Sequence, residues 1–505
     1  MDKNFIKVPN SIKFQDIINS KNTTLSATQY KTFDIKNKNQ KRIEELLIHK
    51  LERKEQGIEV GSNLYMDKSP YIFLKTGCLQ DYTYLPVIEG SNFEYMAGTY
   101  DNKEYVKELN LKKGDIIVSK DSNVGEICIL DKDYPNALMS SGMHKLPLQE
   151  KYKYYTLAFI KSAIVRQQID FLVPRGSTIR HGKDAIFYCN IPFPNKDEDE
   201  IIKYIDCLMK SIINKEILIR EKFQQEMEFI DKELKDNQLS NSFVYKMPTF
   251  NEISSFSRMD GSIYSKHLKK FNFLITNYKN GCRNIYELNF DISRGQNLQI
   301  SQIGKSIETS DYHDGFYKVI KPKVISTYGL IMKNEFLGNQ NKLKTLQYGD
   351  LIFGAEGNEK GRSYVYLLND DDTITNIHGI TLNSKDKDIE KSIFVKIFLD
   401  YLRFNGIIDK YAVGGNGGSL AIKYWDNIYF PNFPIDKEKE LVKFYYTNND
   451  FKPTCSTIEE FETYDKTFEN NAGIYDLDKA KNYLQNLLNN AMLKIVNDEK
   501  IDIKF

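Results

Sequence analysis

The chain has 505 residues, too many for a single hydrophobic core and enough for two to four domains. With 41% hydrophobic and 13% aromatic residues and no long Gly, Ser or Pro tract it can fill real cores, which excludes extended disorder. Lys plus Arg (70) nearly cancel Asp plus Glu (69), so no global positive field marks a protein that simply coats a polyanion.

Six cysteines (Cys78, Cys128, Cys189, Cys207, Cys282 and Cys455) are scattered without a CxxC pair or a histidine at zinc spacing, and read as thiols in a reducing compartment. The start MDKNFIKVPNS has no apolar h-region, and no run approaches ~18 apolar residues. Neither a signal peptide nor a membrane span is expected, and the protein is placed in the cytoplasm.

In chain order, residues 1–35 are polar, with SIKFQDII as a short opening element. Lys41 to Glu55 sets Ile43, Leu46, Leu47 and Leu51 on one face, predicting a surface helix that Gly57 stops. From Ser69 to Leu130 short β-branched and aromatic runs alternate with turn residues. Within them GDIIVSKDSNVGEICIL predicts a hairpin turning at Asp121, Ser122, Asn123 and Gly125. Tyr154 to Asp170 predicts a helix, followed by RGSTIRHGKDAIFYCNIPFP over residues 175–194, in which DAIFYCNIPFP is the expected strand.

Asp197 to Asn237 holds no Pro or Gly, and its apolar residues recur at steps of three, four and seven. About 40 residues at a 1.5 Å rise make a rod of ~60 Å, a spacer in need of a partner helix. The second half repeats the plan from about Asn241 to Pro434. Its tail is helical over Glu438 to Tyr446, breaks around Pro453, and resumes from Leu477 to Val496 as the natural antiparallel mate of the rod.

The repetition has several anchors. GSLAIKYWDNIYFPNFP aligns without a gap on the 175–194 stretch, pairing Gly176 with Gly418, Ser177 with Ser419, Asp184 with Asp426, Asn190 with Asn432 and Pro192 with Pro434, each 242 residues apart. Gly61 recurs as Gly295 and His144 as His378, 234 apart, and Gly114-Asp115 recurs as Gly349-Asp350, 235 apart. Preserved order at a steady offset indicates two similar halves rather than many short repeats.

Catalytic signatures are not found. There is no NPPY-type tetrapeptide, no glycine-rich cofactor loop after a strand and no HExxH. GAEGNEKGRS lacks the GK[ST] ending of a phosphate loop and reads as a hairpin turn. His144 and His378 read as structural histidines at strand starts rather than as catalytic groups.

The glycine-serine elements give a backbone with exposed NH groups and a hydroxyl, suited either to close approach to a phosphate or to a tight turn. Loops 120–125, 175–183, 356–362 and 416–423 are the candidate DNA-facing segments. Their contacting residues are Lys120, Asn123, Arg175, Ser177, Arg180 and Lys183 in the first half, with Asn358, Lys360, Arg362, Asn416, Ser419 and Lys423 in the second. Arg and Asn have the bidentate geometry for guanine and adenine edges, and Lys pairs with phosphate. No catalytic or metal-ligating residue is assigned.

The GD hairpin, the helix, the glycine-serine turn, the D-x-I strand ending in IPFP or FPNFP and the long helix occur in that order twice over nearly the whole chain. This order resembles the specificity (S) subunits of type I restriction-modification systems. The resemblance implies an α+β fold with a β-rich target recognition domain duplicated over 1–195 and 241–435. The helical regions, 196–240 and 436–505, are expected to pack as an antiparallel coiled coil.

It also implies a non-catalytic subunit that reads a split, asymmetric site in double-stranded DNA and positions two DNA methyltransferase subunits on it. S-adenosylmethionine is then the cofactor of those partners, and restriction-translocase subunits are further partners. The junctions PFPNKDEDEIIKY and FPNFPIDKEKELVKF lack the PLxEQ-like helix start common in that family. A recognition subunit of another methylation-based defence system, a self-contained nucleic-acid enzyme and a two-lobed protein adaptor remain as alternatives.

Overall fold

The computed structural model describes residues 5–19, 25, 30–100, 103–104, 111–173, 181–240, 242–368, 370, 372–414 and 418–505. Two compact units divide the chain. The first takes Met1–Ile217, Phe451–Glu469 and Lys479–Phe505, and the second takes Leu218–Asp450 and Asn470–Asp478.

In the first unit β1 (Gln40–Arg42) precedes a sheet in which β2 (Ile72–Leu74) lies between β3 (Phe93–Met96), antiparallel, and β6 (Ala137–Met139), parallel. A second, antiparallel sheet has β4 (Ile116–Ser119) between β5 (Ile127–Ile129) and β7 (Met143–Lys145). The expected hairpin is therefore β4–β5, with Ile116 opposite Ile129 and Val118 opposite Ile127. Phe73, Leu74, Ile117, Cys128, Leu138 and Met139 from the two sheets meet in one core. Burying each such side chain contributes about 1.5–3 kcal/mol.

The expected helix over 154–170 is present as α1 (Lys153–Lys161) and α2 (Ala163–Leu172), parted at Ser162, whose extended backbone (ψ 159°) ends one helix and opens the next. Of DAIFYCNIPFP, only β8 (Asn190–Pro192) is a strand, while Ala185–Tyr188 forms a single 3-10 turn. β8 pairs antiparallel with β1.

The helix expected over Lys41 to Glu55 does not form. Two short 3-10 turns, Ile43–Leu46 and Arg53–Glu55, replace it. Distant segments claim its backbone: Ile43 N–H donates to the Cys189 carbonyl at 3.0 Å and Ile48 N–H to that of Pro147 at 2.8 Å. Tertiary pairing overrides local helical preference here. Gly57 is no helix stop either, but a point of backbone contact, since a Cβ there would sit 1.8 Å from the Ser140 carbonyl oxygen.

α3 (Glu198–Asp236) matches the expected rod, opening on Glu198, Asp199 and Glu200 and closing on Lys235, as the helix dipole favours. Ile205, Leu208 and Ile212 are buried in the first unit, and Ile219, Phe223, Ile230 and Leu234 in the second.

After α4 (Lys266–Thr276), the second unit repeats the arrangement. β9 (Cys282–Asn284) pairs with a late strand, and β10 (Phe290–Arg294) edges an antiparallel sheet. β11 (Tyr317–Val319) and β12 (Phe336–Asn339) belong to a further sheet, in which β11 runs parallel to Thr373–Ile374. β13 (Leu351–Gly354), β14 (Ser363–Val365) and β15 (Gly379–Ser384) complete the sheet of β10, in the order β10-β15-β13-β14. GAEGNEKGRS is the expected turn, joining β13 to β14. α5 (Ile389–Phe404) and β16 (Tyr429–Pro431) follow, with β16 paired to β9.

Strand register corrects the repeat alignment. Asn190 lies opposite Arg42 and Tyr429 opposite Asn284, so Pro192 corresponds to Pro431, not Pro434. Likewise His144 lies opposite Val118 and Ile380 opposite Phe353, so His144 corresponds to Ile380, and His378 lies two residues earlier, in the turn. The Gly114/Gly349 pairing holds: their N–H groups donate to Leu130 and Tyr366 carbonyls, each at 2.8 Å.

The tail carries α6 (Ile435–Tyr445), α7 (Ile458–Asn471) and α8 (Ile474–Val496). α7 is an addition to the expected plan. Within the first unit Asn195 Nδ2 donates to Asp498 at 2.8 Å, while within the second Lys222 feels the charge of Asp476. α8 thus runs antiparallel to α3, as expected. Among the described residues no helix is long and apolar enough to cross a membrane.

Candidate nucleic-acid interface

In the first unit, three segments converge where β4 ends. Ser122 (φ 63°) and Gly125 (φ 84°) turn the chain, and Asn123 ties the turn down through its Nδ2, which donates to the carbonyls of Thr76 at 2.9 Å and Leu79 at 2.8 Å. Lys120 N–H donates to the Gly142 carbonyl at 2.8 Å, and the Lys120 carbonyl accepts from Gly182 N–H at 2.6 Å. Asp121 and His181 form an antiparallel bridge, with His181 Nδ1 2.9 Å from Asp121 Oδ1.

Gly182 is required at this crossing, because a Cβ would lie 2.9 Å from the Lys120 carbonyl oxygen and 2.4 Å from Val124 Cγ1. His181 and Lys183 are exposed beside it, and Lys120 is half-buried. These are the groups left to meet a ligand. Asn123, with its amide nitrogen already engaged, is a structural tie.

The second unit builds the same crossing from equivalent pieces. Past the end of β13, the Ala355 carbonyl accepts from Leu420 N–H at 2.8 Å, and Glu356 bridges Ser419. Gly357 N–H reaches the Gly418 carbonyl at 3.3 Å. The Glu356 carboxylate accepts from His378 Nδ1 at 2.7 Å and from Arg294 Nη1 at 3.2 Å.

Around that crossing the expected residues fare differently. Asn358 and Lys423 are exposed, and Lys423 Nζ lies 5.0 Å from the Tyr424 ring centre. Lys360 is buried with its Nζ 2.8 Å from Asp409, and Arg362 Nη1 donates to the Ile325 carbonyl at 3.0 Å, so both serve the fold. Ser419 is half-buried and exchanges backbone hydrogen bonds with Val413 at 2.8 and 2.9 Å. Arg175, Ser177, Arg180 and Asn416 lie outside the described residues.

His144 is buried, and burial pushes its pKa down to about 4, so its ring is neutral at physiological pH. His378, by contrast, is exposed beside Glu356. Arg294 escaped the sequence reading because it ends a strand 62 residues before the carboxylate it meets. Its one local signal is the glycine that follows. The described residues contain no cluster of His, Cys, Asp and Glu fit to hold a metal.

Both crossings therefore present cationic side chains and amide groups at the rim of a sheet, held by backbone pairing, which suits contact with phosphates and base edges rather than bond-making chemistry. Residues 63–228 match the family described as type I restriction modification DNA specificity domain. No curated protein matches the chain.

Among solved structures, the S subunit of a type I restriction-modification system from M. genitalium aligns at a TM-score of 0.39 and 14% identity, over 91% of this chain and 95% of that one. A chain from a study of assembly and conformational transition of the type I R-M system aligns at 0.27 and 11%, over 92% and 99%. The HsdS subunit from Thermoanaerobacter tengcongensis aligns at 0.27 and 12%, over 91% and 96%.

Proposed function

We propose that this chain is a DNA specificity subunit of a type I restriction-modification system, the family whose model residues 63–228 match, and that it reads a split, asymmetric site in double-stranded DNA and positions DNA methyltransferase subunits there. The observation that carries the reading is the duplicated crossing. In each unit a strand-end turn is bound by its backbone to a glycine-containing segment, at Asp121/His181 and at Glu356/Ser419. One unit takes each half of the site. The two rims differ in side chains, so the two half-sites differ in sequence.

The recognition domains take residues 1–195 and 241–435, and the helical regions 196–240 and 436–505 carry two methyltransferase subunits, with restriction-translocase subunits as further partners. S-adenosylmethionine binds to the methyltransferase. The near-zero net charge of +1 fits this division, because partner subunits then supply much of the non-specific phosphate attraction.

The test is to express the chain with its methyltransferase subunits and map methylated adenines across the host genome. Methylation at one bipartite, asymmetric sequence, present only with this chain, is expected. A genome left unmarked by the assembled complex overturns the reading.

A further inference from the structure

Gln56 and Arg294 occupy the same place in the two units, so Gly57, not Gly61, is the counterpart of Gly295. Gln56 bridges His144 antiparallel, and Arg294 lies opposite Ile380. His144 and Ile380 in turn lie opposite Val118 and Phe353 on the equivalent strands β4 and β13. The next residue in each unit is a glycine in close backbone contact. Gly57 N–H donates to the Met143 carbonyl and Gly295 N–H to that of Gly379, both at 3.0 Å. A Cβ at Gly57 would sit 1.8 Å from the Ser140 carbonyl oxygen, and one at Gly295 2.3 Å from that of Asn376. Each glycine pins the backbone of the side chain before it.

Both side chains stand beside the crossings. Arg294 Nη1 spends its two hydrogens on Glu356 Oε1 at 3.2 Å and the Ile377 carbonyl at 3.1 Å. Its Nε–Nη2 edge, a ready two-donor fork, has no partner among the described residues, and the side chain is 33% exposed. Gln56 is exposed, and its side-chain amide likewise has no partner among the described residues. Gly57 binds Met143, next to Gly142, whose carbonyl accepts from the N–H groups of Lys120 and Asp121. Gln56 thus lies at the rim of its own crossing.

We infer that this shared position reads a base in each half-site, with Arg294 on the major-groove edge of guanine and Gln56 on that of adenine. The chemistry follows from the donor sets. A guanidinium fork matches the O6 and N7 acceptors of guanine, while a carboxamide, one donor and one acceptor, matches N7 and N6 of adenine. Glu356 acts as a positioning residue, because it fixes the rotation of the Arg294 fork. The inference rests on the DNA-reading function proposed above and adds two specificity-determining residues to it.

The experiment selects duplexes from a randomised library with the full chain and its methyltransferase subunits, comparing wild type with Arg294→Gln and Gln56→Arg. Arg294→Gln should exchange guanine for adenine at one base pair of one half-site, and Gln56→Arg should make the opposite exchange in the other half-site. Each preference should shift by roughly tenfold or more. Variants that keep every wild-type base preference, or lose affinity equally for all sequences, overturn the inference while the proposed function stands. A wild type that selects no sequence overturns both. Should Arg294→Gln unfold through loss of its ion pair, Gln56→Arg decides alone, since it removes no side-chain bond.

Discussion

Asp121 and Glu356 stand at equivalent points, each two residues past the end of a central strand, and each carboxylate accepts a histidine Nδ1 hydrogen bond, from His181 at 2.9 Å and from His378 at 2.7 Å. The histidines are not equivalent: His181 comes from the segment that leads into β8, and His378 from the turn before β15. A carboxylate at this point is therefore the shared feature, and its histidine partner is supplied from whichever neighbouring loop can reach.

Asp121→Asn and Glu356→Gln should consequently act on different half-sites. These are partly exposed pairs, so each change should alter folding stability by less than about 1 kcal/mol. Base selection should relax in one half of the DNA site only. Duplex libraries randomised in one half at a time give the readout, and a loss shared by both halves would contradict independent reading.

Lys215 lies fully buried on α3, where its Nζ meets Asp465, Glu469 at 3.1 Å and Ser211 Oγ at 2.8 Å. Burial raises the Glu469 pKa against the pull of that lysine. Lys215→Ala leaves the buried Asp465 and the half-buried Glu469 without their counter-charge and should cost about 3–5 kcal/mol in urea unfolding. Replacing all three by apolar residues (Lys215→Met, Asp465→Leu, Glu469→Leu) should cost far less, because the desolvation penalty disappears with the charges. Equal losses in the two proteins would show that side-chain shape, rather than charge, governs this contact.

The long helix and the hairpins were legible in the sequence because their signals are local: a 3-4-7 apolar period free of Pro and Gly, and turn residues between β-branched runs. Lys41 to Glu55 carries an equally good helical period. Its backbone, however, is claimed by Cys189 and Pro147, more than 95 residues away, and a local pattern cannot register such a partner. The site was legible as loops rather than as residues. Asn123, Lys360 and Arg362 have suitable side chains, yet Asn123 Nδ2, Lys360 Nζ and Arg362 Nη1 are engaged by the fold. Arg294 and Gln56 share only a following glycine in sequence, and it is the register that makes them a pair.

Glu226 is buried on α3 with no hydrogen-bond partner for either carboxylate oxygen among the described residues. Burial pushes its pKa from 4.5 up to about 8; Asp400 adds to the rise, while Lys396 and Lys222 oppose it. Between those values the unfolded chain has released the proton that the folded chain keeps, so stability should fall as pH rises from about 4.5 to about 8 and level off beyond. This group contributes on the order of several kcal/mol across the window. Glu226→Gln should flatten that slope and stabilise the protein at pH 8. Denaturant midpoints measured at several pH values test it, and an unchanged slope in the variant would place the titration elsewhere.

Gly57→Ala and Gly295→Ala should separate backbone placement from side-chain chemistry. Neither glycine needs a left-handed backbone, so the penalty is steric: the added methyl meets a carbonyl oxygen at 1.8 Å in the first unit and 2.3 Å in the second. Relief requires moving the Ser140 or Asn376 turn, and crowding of this kind costs about 1–3 kcal/mol. The displaced backbone carries Gln56 or Arg294 with it. Each variant should therefore lose selectivity in its own half-site while the other is read normally, with the larger effect at Gly57, where the approach is closer. Methylation mapping of each variant in complex is the check. Full selectivity retained in both would mean that the turns yield without moving the residues beside them.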